Sequence, residues 1–272
     1  MKIIIRNCNV AELDIPLKYA TKLYNEFAIR HPNAFYLRTR QRGMQNWDGK
    51  IKYITKTGQF KIGLLPSVYK RCIELGIKPI IVDMRQPLPK VSKVVTQIGK
   101  YKLRPEQEKA VKAILSNKLG ETPFQIGVLD YTVNAGKTLI MSALYLSYKK
   151  QLKTLLITND SDWLNQAREE FKQYLPGEDI TFVQGKVLNW SNFTIGMVQS
   201  ISRNMKYYQN ELAKIDMVLI DEADQGGSKQ YQNVITRLFN TRIRIGLSGT
   251  IYMSKLAKDK VKNMFLEFLC AK

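Results

Sequence analysis

Two short stretches carry the residue types that phosphate chemistry requires. Asn134-Ala135-Gly136-Lys137-Thr138 follows an apolar run ending near Asp130 and opens the amphipathic helical pattern Leu139-Ile140-Met141. A tight loop at that point turns backbone N–H groups toward a phosphate, and the helix N-terminus adds the positive end of its dipole. The amine of Lys137 can reach β- and γ-phosphate oxygens, and the Thr138 hydroxyl can sit on Mg²⁺. The full pattern Gly-x-x-x-x-Gly-Lys-Ser/Thr is met in part, because Tyr131 stands where its first Gly belongs. The second stretch is Asp221-Glu222-Ala223-Asp224, at the end of the apolar run Met217-Val218-Leu219-Ile220. A carboxylate there can hold Mg²⁺ through water, and its neighbour can polarise an attacking water. Each stretch has a plainer reading: an ordinary helix start for the first, an acidic surface turn for the second. Strand, loop, Gly-Lys-Thr and helix, followed in order by strand and paired carboxylates, are hard to obtain together by accident.

Positioning these groups takes a sheet. Apolar runs at Ile126–Leu129, Thr154–Ile157, Ile180–Val183, Thr194–Val198, Met217–Ile220 and Ile243–Leu247 read as buried strands. Helical patterns fall between most of them, among them Leu139–Tyr148 and Trp163–Leu175. Such alternation predicts an α/β fold, a mainly parallel sheet with helices on both faces, whose ligands sit at the C-terminal ends of the strands.

The 272 residues are 44% hydrophobic and carry a net charge of +20. That is enough apolar material for one or two packed domains. The charge is uneven: 19 of the 43 Lys and Arg lie in the first hundred residues, against 6 of the 23 acidic residues. A basic excess of this kind favours polyanions, nucleic acid foremost. Cys8, Cys72 and Cys270 are scattered, with neither disulfide nor zinc spacing. The single histidine, His31, excludes His-based metal clusters and leaves a helix C-terminus or plain surface as its reading. No apolar run approaches membrane-spanning length, and the N-terminus lacks a secretory pattern, so a cytoplasmic protein is expected.

Residues 1–86 read as a small basic α/β unit, 87–101 as a linker around Pro87 and Pro89, and 102–272 as the nucleotide-binding lobe. In the first unit Ile3-Ile4-Ile5 suggests a strand. Asp14 is placed to cap a helix with Pro16 in its first turn, with Leu17, Ala20, Tyr24, Phe27 and Ala28 at helical spacing. Phe35-Tyr36-Leu37 begins a predicted strand, Asp48-Gly49 a hairpin turn, and Lys50–Ile54 the returning strand. Pro66-Ser67 opens a second helix that Gly76 closes, and Pro79–Val82 gives a last strand. On that reading Arg38, Arg40 and Arg42 form one basic row, with Lys50 and Lys52 on the paired strand, able to neutralise several phosphates. Trp47 at the turn could stack on a base, whereas Tyr53 and Phe60 read as core. Phosphate contact without base reading predicts sequence-independent, salt-sensitive binding.

Asn134–Thr138 and Asp221–Asp224 resemble motifs I and II of superfamily-two helicases. Other stretches are similar to that family in order: Leu103-Arg104-Pro105-Glu106-Gln107 to its adenine-reading segment, Ile157-Thr158-Asn159 to motif Ia, Met197-Val198-Gln199-Ser200 to the next nucleic-acid motif, and Leu247-Ser248-Gly249-Thr250 to motif III. Asn46-Trp47-Asp48-Gly49-Lys50-Ile51 and Gly63-Leu64-Leu65 resemble the UvsW-type branch-migration helicases of T-even phages. The resemblance implies a RecA-like lobe that takes ATP and Mg²⁺. In it Arg104, Gln107, Asn134, Ala135, Gly136, Lys137 and Thr138 would bind nucleotide. Gln107 could pair with the N6/N7 edge of adenine. Thr138 and Asp221 would serve the metal, and Glu222, Asp221 and Lys137 the hydrolysis. Thr158, Asn159, Gln199 and Ser200 would touch strand phosphates, and Ser248, Gly249 and Thr250 would couple nucleotide state to nucleic-acid contact. Thr132-Val133-Asn134 departs from the family's Pro-Thr-Gly/Ser, which leaves the shape of that loop open.

These readings converge on ATP-driven translocation on DNA, with remodelling of branched or looped structures in recombination, repair or replication. A non-catalytic DNA-binding adaptor and an RNA helicase are the alternatives. A second motor lobe needs on the order of 150 residues, and only 22 follow Thr250. The expectation is a shortened chain, or one needing a second polypeptide for its arginine fingers.

Overall fold

The computed structural model describes residues 1–40, 43–91, 93–131, 136–148, 151–185, 190–223 and 228–249. The N-terminal elements are β1 (Lys2–Ile5), β2 (Val10–Asp14), α1 (Leu17–Glu26), β3 (Ala28–Arg30), α2 (Ala34–Arg40), β4 (Lys50–Lys52), β5 (Gln59–Lys61), α3 (Leu65–Glu74) and β6 (Ile80–Asp83). A connecting hairpin, β7 (Gln97–Ile98) and β8 (Tyr101–Lys102), leads to α4 (Pro105–Ser116) and a second small hairpin, β9 (Lys118–Leu119) and β10 (Thr122–Pro123). There follow β11 (Ile126–Asp130), α5 (Lys137–Ser147), β12 (Thr154–Thr158), α6 (Ser161–Tyr174), β13 (Ile180–Val183) and β14 (Phe193–Met197). The last described elements are α7 (Val198–Arg203), α8 (Met205–Leu212), β15 (Met217–Asp221), α9 (Lys229–Ile235) and β16 (Ile243–Ser248).

The six predicted apolar runs become one parallel sheet in the order β11-β16-β15-β12-β14-β13. Alternation along each strand sends side chains to opposite faces. Leu156, Leu219 and Ile245 pack with α4, α5 and α6 through Val111, Leu144 and Phe171, whereas Ile157, Val218 and Ile220 pack with α7, α8 and α9 through Ile201, Tyr208 and Val234. Helix α5 is not amphipathic as its first residues suggested: almost every position from Thr138 to Ser147 is buried. A helix apolar on all sides belongs in the interior, here between the sheet, α4 and α6.

The N-terminal sheet has the order β5-β2-β1-β6, with β1 antiparallel to β2 and parallel to β6. Several local expectations are corrected here. Phe35-Tyr36-Leu37 lies in helix α2, not in a strand, and β4 pairs instead with β3, Arg30 opposite Lys50. Pro32-Asn33 turns the chain, and Leu37 N–H donates to the Asn33 carbonyl at 3.0 Å, so the short run winds up. The cap of α1 is Pro16, because Asp14 is held in β2. Leu17 is 76% exposed, Phe27 ends the helix, and Ala28 belongs to β3, so no residue of the expected stripe is buried; the buried residue of α1 is Leu23, which the stripe did not include. His31 follows that strand rather than a helix, and its ring meets Trp47 edge-on at 5.8 Å. The stretch expected as a bare linker holds β7, and Leu88, Val91, Val94 and Val95 pack on the core around α5.

One hydrophobic cluster runs from Ile3, Ile5, Phe60 and Leu65 of the N-terminal elements to Ile126, Ile220 and Val234 below the large sheet. Polar contacts seam the junction. Fully buried Arg244 of β16 donates from Nη2 to Asn9 Oδ1 at 2.6 Å, and Asn9 Nδ2 donates to the Thr236 carbonyl at 3.1 Å. Arg242 meets Asp83 at 2.8 Å.

Candidate functional site

A parallel sheet brings all its strand C-termini to one edge. Asp130 lies opposite Ser248, Asp221 opposite Leu247, and Thr158 opposite Met197. The segments after these strands therefore meet, although they are scattered over more than a hundred residues of sequence.

Gly136 caps α5 with φ of 75°, a left-handed conformation that glycine adopts without strain. A Cβ at this position would collide with Nε2 of Gln107. Gln107 is only 3% exposed, and its Oε1 accepts from the Arg104 backbone N–H at 2.9 Å. The start of α4 is thus locked against the start of α5, and Arg104 also pairs with Glu106 at 2.9 Å. Tyr131, the residue in the place of the missing glycine, donates its hydroxyl to the Glu106 carbonyl at 2.7 Å and ties the loop after β11 to the same helix. Asn134 and Ala135 lie outside the described residues.

Lys137 Nζ stands 3.5 Å from Asp221 Oδ1, too long for a strong hydrogen bond. That oxygen is buried and receives no hydrogen bond from the described residues. Burial pushes the Asp221 carboxyl up to about 6; the Lys137 charge opposes the shift and the Glu222 charge adds to it. The Asp221 carbonyl accepts from Tyr231 Oη at 3.2 Å, which anchors the strand end. Glu222 adopts φ of 53°, a conformation that costs a non-glycine residue about 1 kcal/mol and recurs at functional sites. A buried carboxylate oxygen that lacks a donor among the described residues, with the Thr138 side chain buried at the same edge, fits a hard divalent cation, which takes oxygen ligands. Asp224 lies outside the described residues.

These groups open on a cleft of about 420 Å³, which reaches Gly136, Lys137, Thr138, Asp221 and Glu222. Its other wall is α6, through Asp160, Trp163, Gln166, Glu170 and Tyr174. The sequence reading missed this wall. The spacing 163, 166, 170, 174 is visible as one helical stripe, but nothing local says that the stripe faces a cleft.

Helicase-motif residues expected to touch nucleic acid are differently placed. Thr158 is fully buried, and its hydroxyl accepts from the Asp160 N–H at 3.1 Å, so it offers nothing to a strand's phosphates in this conformation. Gln199 Nε2 donates to the Asn159 carbonyl at 3.2 Å, while its Oε1 is buried without a donor among the described residues. Ser200 is half-buried and its carbonyl accepts from Asn204 at 2.8 Å. Ser248 is buried, its carbonyl accepting from Tyr131 N–H at 3.0 Å, with Gly249 exposed beside it; Thr250 is outside the described residues.

In the N-terminal unit Arg38 and Arg40 are exposed on α2. Two positions apart on a helix point to different sides, so they do not form the expected row. Arg42 lies outside the described residues. Trp47 is half-buried, and its indole N–H donates to the Lys50 carbonyl at 3.0 Å. Lys50 is exposed, whereas Lys52 pairs with Asp48 at 3.2 Å and sits 4.6 Å from the Tyr24 ring centroid. Phe60 is in the core, and Tyr53 packs against it.

Comparison with known proteins places this geometry. The chain is 24% identical over 243 residues to the ATP-dependent DNA helicase UvsW of Enterobacteria phage T4, covering 82% of this chain and 46% of that protein. It is 25% identical over 148 residues to a protein of Acanthamoeba polyphaga mimivirus named as an ATP-dependent RNA helicase, covering 54% of this chain and 27% of the relative. The chain therefore spans less than half the length of these curated relatives. A crystal structure of the UvsW helicase from bacteriophage T4 superposes over 100% of this chain and 98% of its own, with a TM-score of 0.74 and 20% identity. A second UvsW structure gives 0.75, at 20% identity over 100% of this chain and 56% of its own. Likeness at that identity establishes the RecA-like fold. The family model for the type III restriction enzyme res subunit matches residues 100–253, the span that holds every strand of the parallel sheet, and the chain belongs to that family of superfamily-two helicases.

Proposed function

We propose that this chain is the DNA-binding and ATP-binding portion of a translocase that remodels branched or looped DNA. In this reading residues 1–86 engage DNA, 87–101 connect, and the lobe from residue 102 takes the nucleotide. The observation that carries it is the juxtaposition of Lys137, at the N-terminus of α5, with the buried Asp221 carboxylate across the sheet edge. Lys137 offers its charge to the β- and γ-phosphates, and the backbone N–H groups at the start of α5 face the same anion. Thr138 and Asp221 would hold Mg²⁺, which when bound neutralises developing phosphate charge. Glu222 orients and deprotonates the attacking water. Gln107, locked beside Gly136, reads adenine once its amide exchanges the Arg104 N–H for the base. The relative that aligns over most of the chain is named a DNA helicase, which supports DNA over RNA as the track.

The test is Mg-ATP hydrolysis with and without branched DNA, with Glu222→Gln as control and matched RNA as competitor. The expected outcome is nucleotide binding that the variant retains, with hydrolysis that is slow at most in the unmodified chain and absent from the variant. Nucleotide-independent DNA binding with no measurable affinity for Mg-ATP would instead make the lobe a non-catalytic adaptor.

A further inference from the structure

The most exposed aromatic side chains among the described residues have no part in the core or in the nucleotide cleft. Phe35 is 81% exposed and Tyr36 56%, side by side on α2. Helix α2 sits in the excursion between β3 and β4, a two-stranded ribbon outside the four-stranded sheet. Its root is fixed. Ala34 is buried, its N–H donates to the His31 carbonyl at 3.0 Å, and a Cβ on Gly49 would come within 3.0 Å of Ala34 Cβ. His31 N–H donates to the Gly49 carbonyl at 2.8 Å, and Trp47 leans on the His31 ring. The excursion is therefore a built knob that presents two aromatic rings outward.

What surrounds the rings selects their ligand. Residues 28–52 hold six Lys and Arg and a single acidic residue, Asp48, which is already paired with Lys52. Arg40 lies 5.2 Å from the Tyr36 ring centroid, and Arg38 is exposed on the same helix. An apolar protein partner would be matched by an uncharged rim. Exposed rings framed by guanidinium groups match stacked bases framed by phosphates. Adjacent helix positions point about 100° apart, so the two rings cannot share one small pocket, but they can flank the end of a base stack.

We propose that Phe35 and Tyr36 form a stacking platform for an unpaired base at a single-strand to double-strand junction, with Arg38 and Arg40 on the adjoining phosphates. This rests on the reading of residues 1–86 as the DNA-binding unit, and it adds that the unit senses the junction. Insertion or stacking of apolar side chains at an opened step is a recurrent way to hold distorted DNA.

The experiment places 2-aminopurine at the first unpaired position of a forked DNA and measures its emission and the affinity without nucleotide. It compares the unmodified chain, Phe35→Ala with Tyr36→Ala, and Phe35→Trp, using a blunt duplex as the second substrate. The expected result is an emission change that the double variant loses, with fork affinity reduced about tenfold and duplex affinity held within about twofold. Phe35→Trp keeps the emission change. Unchanged fork binding by the double variant overturns the platform, and so does an equal loss on fork and duplex. If the unmodified chain binds neither DNA, the DNA-binding reading itself fails; if it binds both without an emission change, only the platform does.

Discussion

At the residue scale, Asp221 combines a buried position with a charge that its environment opposes. Folding is easier with this carboxyl protonated. Between the ordinary aspartate value of 3.8 and about 6 the folded state holds a proton that the unfolded chain has released, so this group's contribution to stability falls as pH rises through that window. A metal needs the ionised form. At fixed Mg²⁺, nucleotide affinity should therefore weaken about tenfold per pH unit below 6, and Asp221→Asn should bind weakly with that slope removed. Fluorescent-nucleotide titrations at pH 5, 6 and 7 read both; a flat profile for the unmodified chain would exclude Asp221 as the metal's carboxylate. Gly136→Ala should cost about 1–2 kcal/mol through its left-handed φ and the displaced Gln107, and should abolish nucleotide binding. Chemical denaturation beside the same titration separates the two effects. Lys137 and Asp221 were legible in the sequence because both follow apolar runs whose ends a parallel sheet must gather. The seat of Gln107 was not, since its neighbour in space lies 29 positions away in a loop whose path no local rule fixes.

At the element scale, α6 both walls the cleft and begins beside it. Asp160 caps the helix, its Oδ1 accepting from Asp162 N–H at 2.8 Å and Trp163 N–H at 3.1 Å. Asp160→Ala should destabilise the lobe by about 1 kcal/mol and loosen the first turn, which carries Trp163 into the cleft. The Trp163 emission should then shift to the red in the variant and respond less to nucleotide; a lowered melting temperature with an unchanged spectrum would confine Asp160 to capping. The long buried elements of this lobe could be read from sequence because a run of Val, Ile and Leu leaves few choices when both faces are covered. In the N-terminal unit β1, α3 and β6 could be read as well, but α2 and β3 could not. Helix α2, seven residues long, has apolar and basic residues that fit either period, and β3 has only three residues. Such pieces take their form from what they dock against, here the Gly49 turn and β4.

At the scale of the whole molecule, the N-terminal sheet and the parallel sheet share one apolar cluster, and that decides how the chain should unfold. The boundary near residue 86 was drawn from proline and charge, which report the path of the chain and say nothing of what packs across it. Arg244 is buried at this junction with Asn9 as one of its acceptors, and Asn9 also holds the Thr236 carbonyl. Asn9→Ala removes an acceptor from a buried guanidinium and a donor from a buried carbonyl, a loss of about 2–3 kcal/mol. Asn9→Asp keeps an acceptor and adds a charge opposite to that of Arg244, so it should lose less. Because the cluster is continuous, the loss should lower a single transition, by roughly 4–10 °C for Asn9→Ala, seen alike by calorimetry and by far-ultraviolet circular dichroism. Two separated transitions in the unmodified chain, with only the earlier one moved by the substitution, would mean that the junction is a docking contact between independent folding units. In that case a stroke of one against the other during translocation would need only the polar seam to open, whereas a shared core would make the two sheets move as one body.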